Sequence, residues 1–104
     1  MKAAHAMPFS AYMLRCADDH YYVGSTDNLE LRVSQHQAGA FPNCYTFKRR
    51  PVLLVWSEAF PDRLQAKEAE SRLKGWSRAK KEALMAGDWG RISTLAQNRQ
   101  GQRR

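Results

Sequence analysis

Two short runs rich in aromatic and β-branched residues, at positions 10–16 and 21–26, constrain the fold of this 104-residue chain most strongly. Residues of these types favour strands, and the four residues between the runs, 17–20, have the polar composition of a turn. The pattern therefore predicts a β-hairpin. On such a hairpin Tyr12 and Tyr22 lie on neighbouring strands, where their side chains can converge.

A helix is expected directly after the hairpin. Asp27 is a good N-cap residue, and Glu30 three positions later completes a pattern typical of a capping box. Arg32 and His36 are four residues apart, so they lie one turn apart on one face of this helix. The glycine, proline and asparagine of residues 38–44 are expected to end the helix and begin a loop.

The rest of the chain predicts one more strand followed by helices. The segment 51–57 is apolar on both sides, which favours a central strand that is covered on both faces. Asp62 is expected to cap a second helix, with Gln65 in the capping-box position, and Ser77 to cap a third. Residues 88–97 can form a short fourth helix.

The order strand, strand, helix, strand, helix, helix predicts an α+β fold with a small, three-stranded, mostly antiparallel sheet flanked by helices. At this length we expect one domain, 8–97, with flexible termini at 1–7 and 98–104. No apolar stretch approaches the roughly 20 residues that cross a bilayer. The first residues lack the features of a secretion signal, so we expect no membrane partner and a cytoplasmic location. Cys16, in a predicted strand, is expected to be a buried, reduced thiol.

The chain is strongly basic, with 17 lysine and arginine residues against 10 acidic residues and a net charge of +7. Eleven of the 17 are arginine, whose planar fork of donors suits phosphate. The basic residues also cluster along the chain. This favours a polyanionic partner, most simply nucleic acid, over a surface that only keeps the protein soluble. The candidate nucleic-acid-binding residues are Lys48, Arg49, Arg50, Lys74 and Arg78.

An ordered series of motifs with regular spacing runs through most of the chain. Its segments are Ser10-Ala11-Tyr12, Tyr22-Val23-Gly24, Asn28-Leu29-Glu30-Leu31-Arg32 with His36, and Lys74-Gly75-Trp76-Ser77-Arg78. The series resembles the small, single-domain bacterial members of the GIY-YIG nuclease superfamily, whose function is uncharacterised. The resemblance covers about residues 8–85 and implies the GIY-YIG fold.

The resemblance also implies an active site. Its catalytic residues would be Tyr12, Tyr22, Arg32 and His36, and its single metal ligand would be Glu70. Tyr12 would act as the general base for an attacking water. A nearby arginine and a metal ion favour the phenolate form of a tyrosine, whose ordinary pKa is about 10. One carboxylate suits Mg²⁺ (or Mn²⁺), because Mg²⁺ keeps several of its waters when it binds.

Taken one at a time, the same residues have structural alternatives. Arg32, on the sheet-facing side of its helix, needs a countercharge, which a bound phosphate or an internal salt bridge would supply. The two tyrosines alone are typical core residues with satisfied hydroxyls, and His36 alone is typical of a structural histidine. Glu70 alone is typical of a solvated residue at the rim of an apolar helix stripe. Gly24, at a strand end, would let a backbone or a substrate approach closely.

The residues and the resemblance together favour a metal-dependent endonuclease that hydrolyses DNA phosphodiester bonds. One alternative is a catalytically degenerate nucleic-acid-binding protein on the same fold. Another is an interaction module in which the tyrosines form only core, although the basic clusters argue against it. In a domain of this size, specificity must come from the shape of the substrate or from a partner protein.

Overall fold

The computed structural model describes residues 7–102, and the side chains of residues 7–96. The elements in chain order are β1 (Phe9–Arg15), β2 (Tyr21–Thr26), α1 (Leu29–Ala38), β3 (Leu53–Phe60), α2 (Arg63–Lys74), α3 (Arg78–Met85) and α4 (Trp89–Gln102). The predicted α+β class and element order are confirmed. The termini predicted to be flexible fall partly outside the described residues, whereas 98–102 belong to α4, which is longer than expected.

The chain divides into two compact units, Met1–Lys74 and Gly75–Arg104. The first contains the sheet, α1 and α2. In the second, α3 packs against α4, and Ala83 and Leu84 of α3 are buried. The expectation of one domain over 8–97 stays a prediction. In the described part of the chain, no helix combines the length and the apolar character that a bilayer crossing requires.

The predicted hairpin is confirmed. β1 and β2 pair antiparallel, with Tyr12 opposite Gly24. Asp19 takes a left-handed conformation in the turn, with φ of 70°. The backbone N–H of His20 donates to Oδ1 of Asp18 at 3.2 Å, so an aspartate side chain closes the turn.

The prediction that the third strand is central was wrong. β3 pairs antiparallel with β1, so the strand order is β2-β1-β3 and β3 is an edge. Residues 11–14 of β1 are all fully buried, whereas Leu53 of β3 is 62% exposed. The sequence of an apolar run does not show whether its strand lies at the edge or at the centre of a sheet. Of the residues 51–57, only Val52, which precedes the strand, is buried.

Helix α1 begins one residue later than expected. Asn28, in an extended conformation, is the N-cap, and its side chain accepts from the backbone N–H of Leu31 at 3.1 Å. The assignment of the cap to Asp27 was therefore wrong, and its carboxylate lies 3.9 Å from the guanidinium of Arg63 instead. The helix ends at Gly39, whose φ of 76° favours glycine.

The predicted caps of the next two helices are confirmed. Asp62 Oδ1 accepts from the backbone N–H of Gln65 at 2.8 Å, and Ser77 Oγ accepts from that of Lys80 at 3.2 Å. Helix α2 packs on one face of the sheet. The buried side chains of α2 are Ala66, Ala69 and Leu73.

The opposite face of the sheet carries a core cluster next to α1. Its buried members are Tyr12, Leu14, Cys16 and Val52, with Tyr22, Leu29 and Val33 packed against them. Cys16 is a buried free thiol, as predicted. At the end of α1, the side chain of Gln37 pairs with the backbone of Val52 in both directions. Gln37 Nε2 donates to the carbonyl at 2.7 Å, and the amide donates to Oε1 at 2.8 Å. This pairing closes the loop 39–51 at its base.

Candidate active site

The central contact of the site joins a tyrosine to a histidine. The Tyr12 hydroxyl on β1 lies 2.9 Å from Nε2 of His36 in the last turn of α1. Both side chains are buried, and Tyr12 has no exposed surface. The structure therefore brings together two of the catalytic residues expected from the sequence, which are 24 positions apart in the chain.

Gly24 makes room for this tyrosine. A Cβ atom on Gly24 would lie 2.5 Å from the hydroxyl oxygen of Tyr12 and 2.7 Å from Cζ of its ring. Such a contact is too short for any real side chain. The Tyr12 ring can therefore pack over the neighbouring strand only if the residue beneath it is a glycine. Gly24 was expected to admit a backbone or a substrate, but the group that approaches it is the Tyr12 side chain.

Tyr22 packs beside this pair. Its ring centre is 6.3 Å from that of Tyr12 and 5.1 Å from that of His36, which it meets edge-on. Burial raises the pKa of Tyr22, and so do the neighbouring groups Tyr12, Cys44 and Glu70. The Tyr22 hydroxyl is consequently neutral at physiological pH.

Arg32 acts on the same hydroxyl as His36. Burial raises the pKa of Tyr12 to about 12, and the Arg32 guanidinium offsets part of that effect through its charge and a hydrogen bond. The guanidinium carbon also lies 5.5 Å from the ring centre of Phe41. Among the described residues no carboxylate forms an ion pair with Arg32, so the internal salt bridge considered from the sequence is not observed there.

Two residues of the loop after α1 complete the site, and the sequence analysis missed both. Nδ1 of His36 lies 2.9 Å from the Thr46 hydroxyl, which is 3.5 Å from the sulfur of Cys44. Burial alone would raise the pKa of Cys44, but hydrogen bonds from the Thr46 amide and hydroxyl, Tyr22 and the Tyr45 amide lower it overall. The sequence offered one indication of Thr46. A buried histidine needs a hydrogen-bond partner for each ring nitrogen, so a polar side chain was needed for the second nitrogen of His36.

Glu70 has two polar partners of its own. The Ser25 hydroxyl donates to Oε1 at 2.6 Å, and Nζ of Lys74 lies 2.8 Å from Oε2. The Glu70 side chain is 17% exposed. Burial would raise the pKa of Glu70, but the hydrogen bonds from Lys74 and Ser25 and the charges of Lys74 and Lys67 lower it overall. The carboxylate is thus ionised at neutral pH.

The structure places Glu70 on the other face of the sheet from the tyrosines. Side chains alternate along a strand, so Ser25 and its partner Glu70 lie on the face covered by α2, whereas Tyr22 and Gly24 face α1. Both residues that position these groups, Ser25 and Tyr22, belong to β2, which is an edge strand of the sheet. Glu70 remains within electrostatic reach, because its charge raises the pKa of both Tyr12 and Tyr22.

The donor set around Glu70 fits a hard divalent cation that takes one protein carboxylate. Glu70 is ionised and 17% exposed, and Lys74, its ion-pair partner, is 56% exposed. The described residues contain no group of three or more histidine, cysteine, aspartate or glutamate side chains that could enclose a metal. A single ionised carboxylate is a donor set that Mg²⁺ can use, because Mg²⁺ keeps several of its waters when it binds.

The basic residues proposed from sequence to bind nucleic acid are unequal in the structure. Nε of Arg49 lies 2.9 Å from Oδ2 of Asp18, and its guanidinium carbon is 3.8 Å from the ring centre of Tyr45. Arg50 donates to the Phe47 carbonyl at 2.9 Å. Lys48 is exposed and has no ion-pair partner among the described residues. Within this cluster, Lys48 is therefore the most available to a phosphate.

The other two basic residues are also paired. Lys74 binds Glu70, and Nε of Arg78 lies 3.1 Å from Oε2 of Glu82 one turn along α3. Lys74 belongs to the first compact unit and Arg78 to the second. Contact of either residue with nucleic acid stays a prediction.

Residues 8–83 match the GIY-YIG catalytic domain, so the chain belongs to the GIY-YIG family. It is 46% identical over 79 residues to a UPF0213 protein of Natronomonas pharaonis, covering 76% of this chain and 92% of that one. It is 40% identical over 70 residues to a UPF0213 protein of Staphylococcus haemolyticus, covering 67% of this chain and 84% of that one. The solution NMR structure of an E. faecalis protein aligns at 33% identity with a TM-score of 0.52, covering 75% of this chain and 82% of that one. The family and fold expected from the sequence are confirmed.

Proposed function

We propose that this protein is a metal-dependent endonuclease that hydrolyses phosphodiester bonds of DNA. The observation that carries the proposal is the position of Arg32, a partly buried guanidinium set against the Tyr12 hydroxyl without a carboxylate partner in the described chain. An unpaired charge in such a place is costly, and a phosphate offers the planar pair of oxygens that a guanidinium binds best.

In the proposed reaction Tyr12 takes a proton from the attacking water, and His36 holds the Tyr12 hydroxyl in place. Arg32 stabilises the negative charge that develops on the phosphoryl oxygens. Tyr22 packs against both rings and restricts their movement. Glu70 would hold Mg²⁺ or Mn²⁺, and the bound ion would supply further positive charge beside the phosphoryl oxygens.

Binding of DNA should depend on salt. Contact with about three to six phosphates gives a slope of log affinity against log salt of roughly −2 to −5. Lys48→Ala should weaken binding to all sequences alike, because phosphate contacts position a protein without reading bases. An affinity that does not change with salt would contradict an electrostatic interface.

A second candidate function, nucleic-acid binding without catalysis, is favoured by the burial of Tyr12. A general base must touch the water that it activates, and Tyr12 is 0% exposed in this conformation. Catalysis therefore requires a movement that exposes the Tyr12 hydroxyl to water. In a degenerate protein that movement would not occur, and the same basic surface would only bind.

Incubation with branched, flapped, duplex and single-stranded DNAs, with Mg²⁺ or Mn²⁺ and with EDTA, separates the two functions. The nuclease proposal expects cleavage that EDTA abolishes. Arg32→Lys keeps the charge but loses the bidentate fork, so cleavage should fall strongly while the fold is retained. Arg72→Lys, an exposed arginine on α2, is the matched control and should cleave like the parent. Binding without cleavage under every metal tested would instead establish the degenerate protein.

Glu70→Gln tests the metal ligand. The amide still accepts from Ser25 and loses only a half-exposed ion pair, so the free energy of unfolding should change by at most about 1 kcal/mol. Cleavage should fall by a factor of about 100 or more, comparable to losing one preorganised electrostatic contact. Glu68→Gln, an exposed glutamate on the same helix, is the control. If Glu70→Gln cleaves at the parent rate, the metal is held elsewhere.

A further inference from the structure

The polar groups of the site form one continuous series of hydrogen bonds. It runs from the Tyr12 hydroxyl to Nε2 of His36 at 2.9 Å, from Nδ1 to the Thr46 hydroxyl at 2.9 Å, and from there to the Cys44 sulfur at 3.5 Å. A neutral imidazole carries one N–H, and a hydroxyl has one proton to donate. The direction of each bond therefore fixes the direction of the next.

The sulfur end of the series sets one direction. The Thr46 hydroxyl donates to the Cys44 sulfur at 3.5 Å. Burial alone would raise the pKa of Cys44, but hydrogen bonds to the sulfur lower it overall, as expected for a sulfur that acts as an acceptor. Because its proton is committed there, the Thr46 oxygen accepts from His36, which places the imidazole proton on Nδ1.

The tyrosine end of the series is compatible with this direction. In the described part of the chain, Nε2 of His36 is the hydrogen-bond partner of the Tyr12 hydroxyl, at 2.9 Å. A hydroxyl can donate to a ring nitrogen or accept from it, so the group at the other nitrogen, Thr46, decides which of the two occurs. With the proton on Nδ1, Nε2 carries a lone pair and accepts the proton of the Tyr12 hydroxyl.

We infer that Thr46 is a positioning residue that fixes the tautomer of His36, so that Nε2 accepts the proton of the Tyr12 hydroxyl, and that the Cys44 sulfur in turn fixes the direction of Thr46. Neither loop residue touches the reacting atoms. Their effect on the reaction passes through His36, and the inferred role is specific to a hydroxyl at position 46.

The inference deepens the proposed nuclease function and rests on it for its chemical consequence. As the oxygen of water forms a bond to phosphorus, one water proton passes to the Tyr12 oxygen and the Tyr12 proton passes to Nε2 of His36. The bond between phosphorus and the leaving oxygen breaks, and that oxygen keeps the electron pair and takes a proton from solvent. His36 then releases its added proton to solvent and returns to the neutral form.

The surroundings of His36 support this role. The titratable and charged groups that face its ring are Tyr12 on β1, Tyr22 on β2, Arg32 on α1 and Cys44 in the loop. Burial, followed by the charge of Arg32, lowers the pKa of His36. The imidazole is therefore neutral at neutral pH, and its Nε2 lone pair is available.

The test is the ¹⁵N NMR spectrum of protein labelled at histidine, with the His36 signals identified by their loss in His36→Gln. The parent should show a pyridine-type Nε2 and a pyrrole-type Nδ1. Thr46→Val keeps the shape of the side chain but removes the acceptor for Nδ1–H, and should move the proton to Nε2. Thr46→Ser should keep the parent spectrum, and Thr94→Val, at an exposed position of α4, is the control for the substitution itself.

A parent protein with its proton on Nε2, or an unchanged tautomer in Thr46→Val, would overturn the inference. If Thr46→Val does not fold, Cys44→Ala provides the second measurement, because loss of the sulfur acceptor should raise the population of the Nε2–H form. Cleavage should fall at least about 10-fold in Thr46→Val and recover in Thr46→Ser. If the parent protein cleaves no DNA, the nuclease proposal is wrong, but the NMR result for the His36 tautomer still stands. If the parent protein cleaves DNA and carries the proton on Nε2, only the inference about Thr46 is wrong.

Discussion

Gly24→Ala is expected to destabilise the fold by displacing Tyr12. The added Cβ would lie 2.5 Å from the Tyr12 hydroxyl and 2.7 Å from Cζ, so the ring must move. Tyr12 is fully buried and cannot turn into solvent. Overpacking of this kind costs about 1–3 kcal/mol, and movement of the hydroxyl away from His36 forfeits a further hydrogen bond of about 1 kcal/mol. We expect a loss of about 2–4 kcal/mol in the free energy of unfolding.

Urea denaturation followed by circular dichroism measures this loss, and thermal unfolding checks it, because each kcal/mol should lower Tm by about 4–8 °C in a domain of this size. Gly90→Ala is the matched control. Its nearest contact would be Asp88 Oδ1 at an ordinary 3.7 Å, and Gly90 lies within α4, so the variant should be as stable as the parent or up to about 1 kcal/mol more stable.

A double-mutant cycle identifies the clashing group. Tyr12→Phe removes the atom nearest to the new methyl group, so it should cost less in the Gly24→Ala background than in the parent. Additive effects of the two substitutions would show that the destabilisation arises elsewhere. A Gly24→Ala protein with parental stability would refute the argument that the glycine is required by the position of the Tyr12 ring.

The cap of α1, the pKa of His36 and the pKa of Glu70 are each accessible to a direct measurement. Asn28→Ala should lower the free energy of unfolding by about 1 kcal/mol, whereas Asp27→Ala should change it by less than about 0.5 kcal/mol, as measured by urea denaturation. Because the folded pKa of His36 is lowered, the folded state should lose stability as pH falls through the ordinary histidine pKa of about 6.5, and His36→Gln should flatten this dependence. Lys74→Met removes the main group that lowers the pKa of Glu70, so a ¹³C NMR titration of that carboxylate should show a higher pKa, and an unchanged pKa would mean that the ion pair is not formed in solution.

The sequence predicted those elements whose signals are local. The hairpin was recognised from strand-forming runs around a polar turn, and the caps Asp62 and Ser77 from side chains that bond three residues ahead. The cap of α1 was misplaced because Asp27 and Asn28 are both suitable capping residues. Which of the two residues caps the helix depends on which has an extended backbone conformation, and in this structure that residue is Asn28.

Features that depend on distant parts of the chain could not be predicted. β3 is an edge strand because it pairs with β1 alone, and its apolar residues do not encode how many strands it pairs with. The contact of Glu70 with Ser25 spans 45 positions, and that of His36 with Thr46 depends on the path of an irregular loop. The residue types indicated which side chains would form the site. They did not indicate which ring nitrogen or which oxygen atom would form each hydrogen bond.

The pairing of Gln37 with Val52 couples two motions that would otherwise be separate. Because this side chain holds the base of the loop 39–51 from the last turn of α1, fraying of that turn and opening of the loop become a single local unfolding event. The amide of Val52 lies outside every regular element and should nevertheless exchange its proton slowly, at a rate set by that shared opening. The same opening would carry the Thr46 hydroxyl away from the histidine ring. Hydrogen exchange at one backbone position thus reports how often the buried polar series of the site is broken.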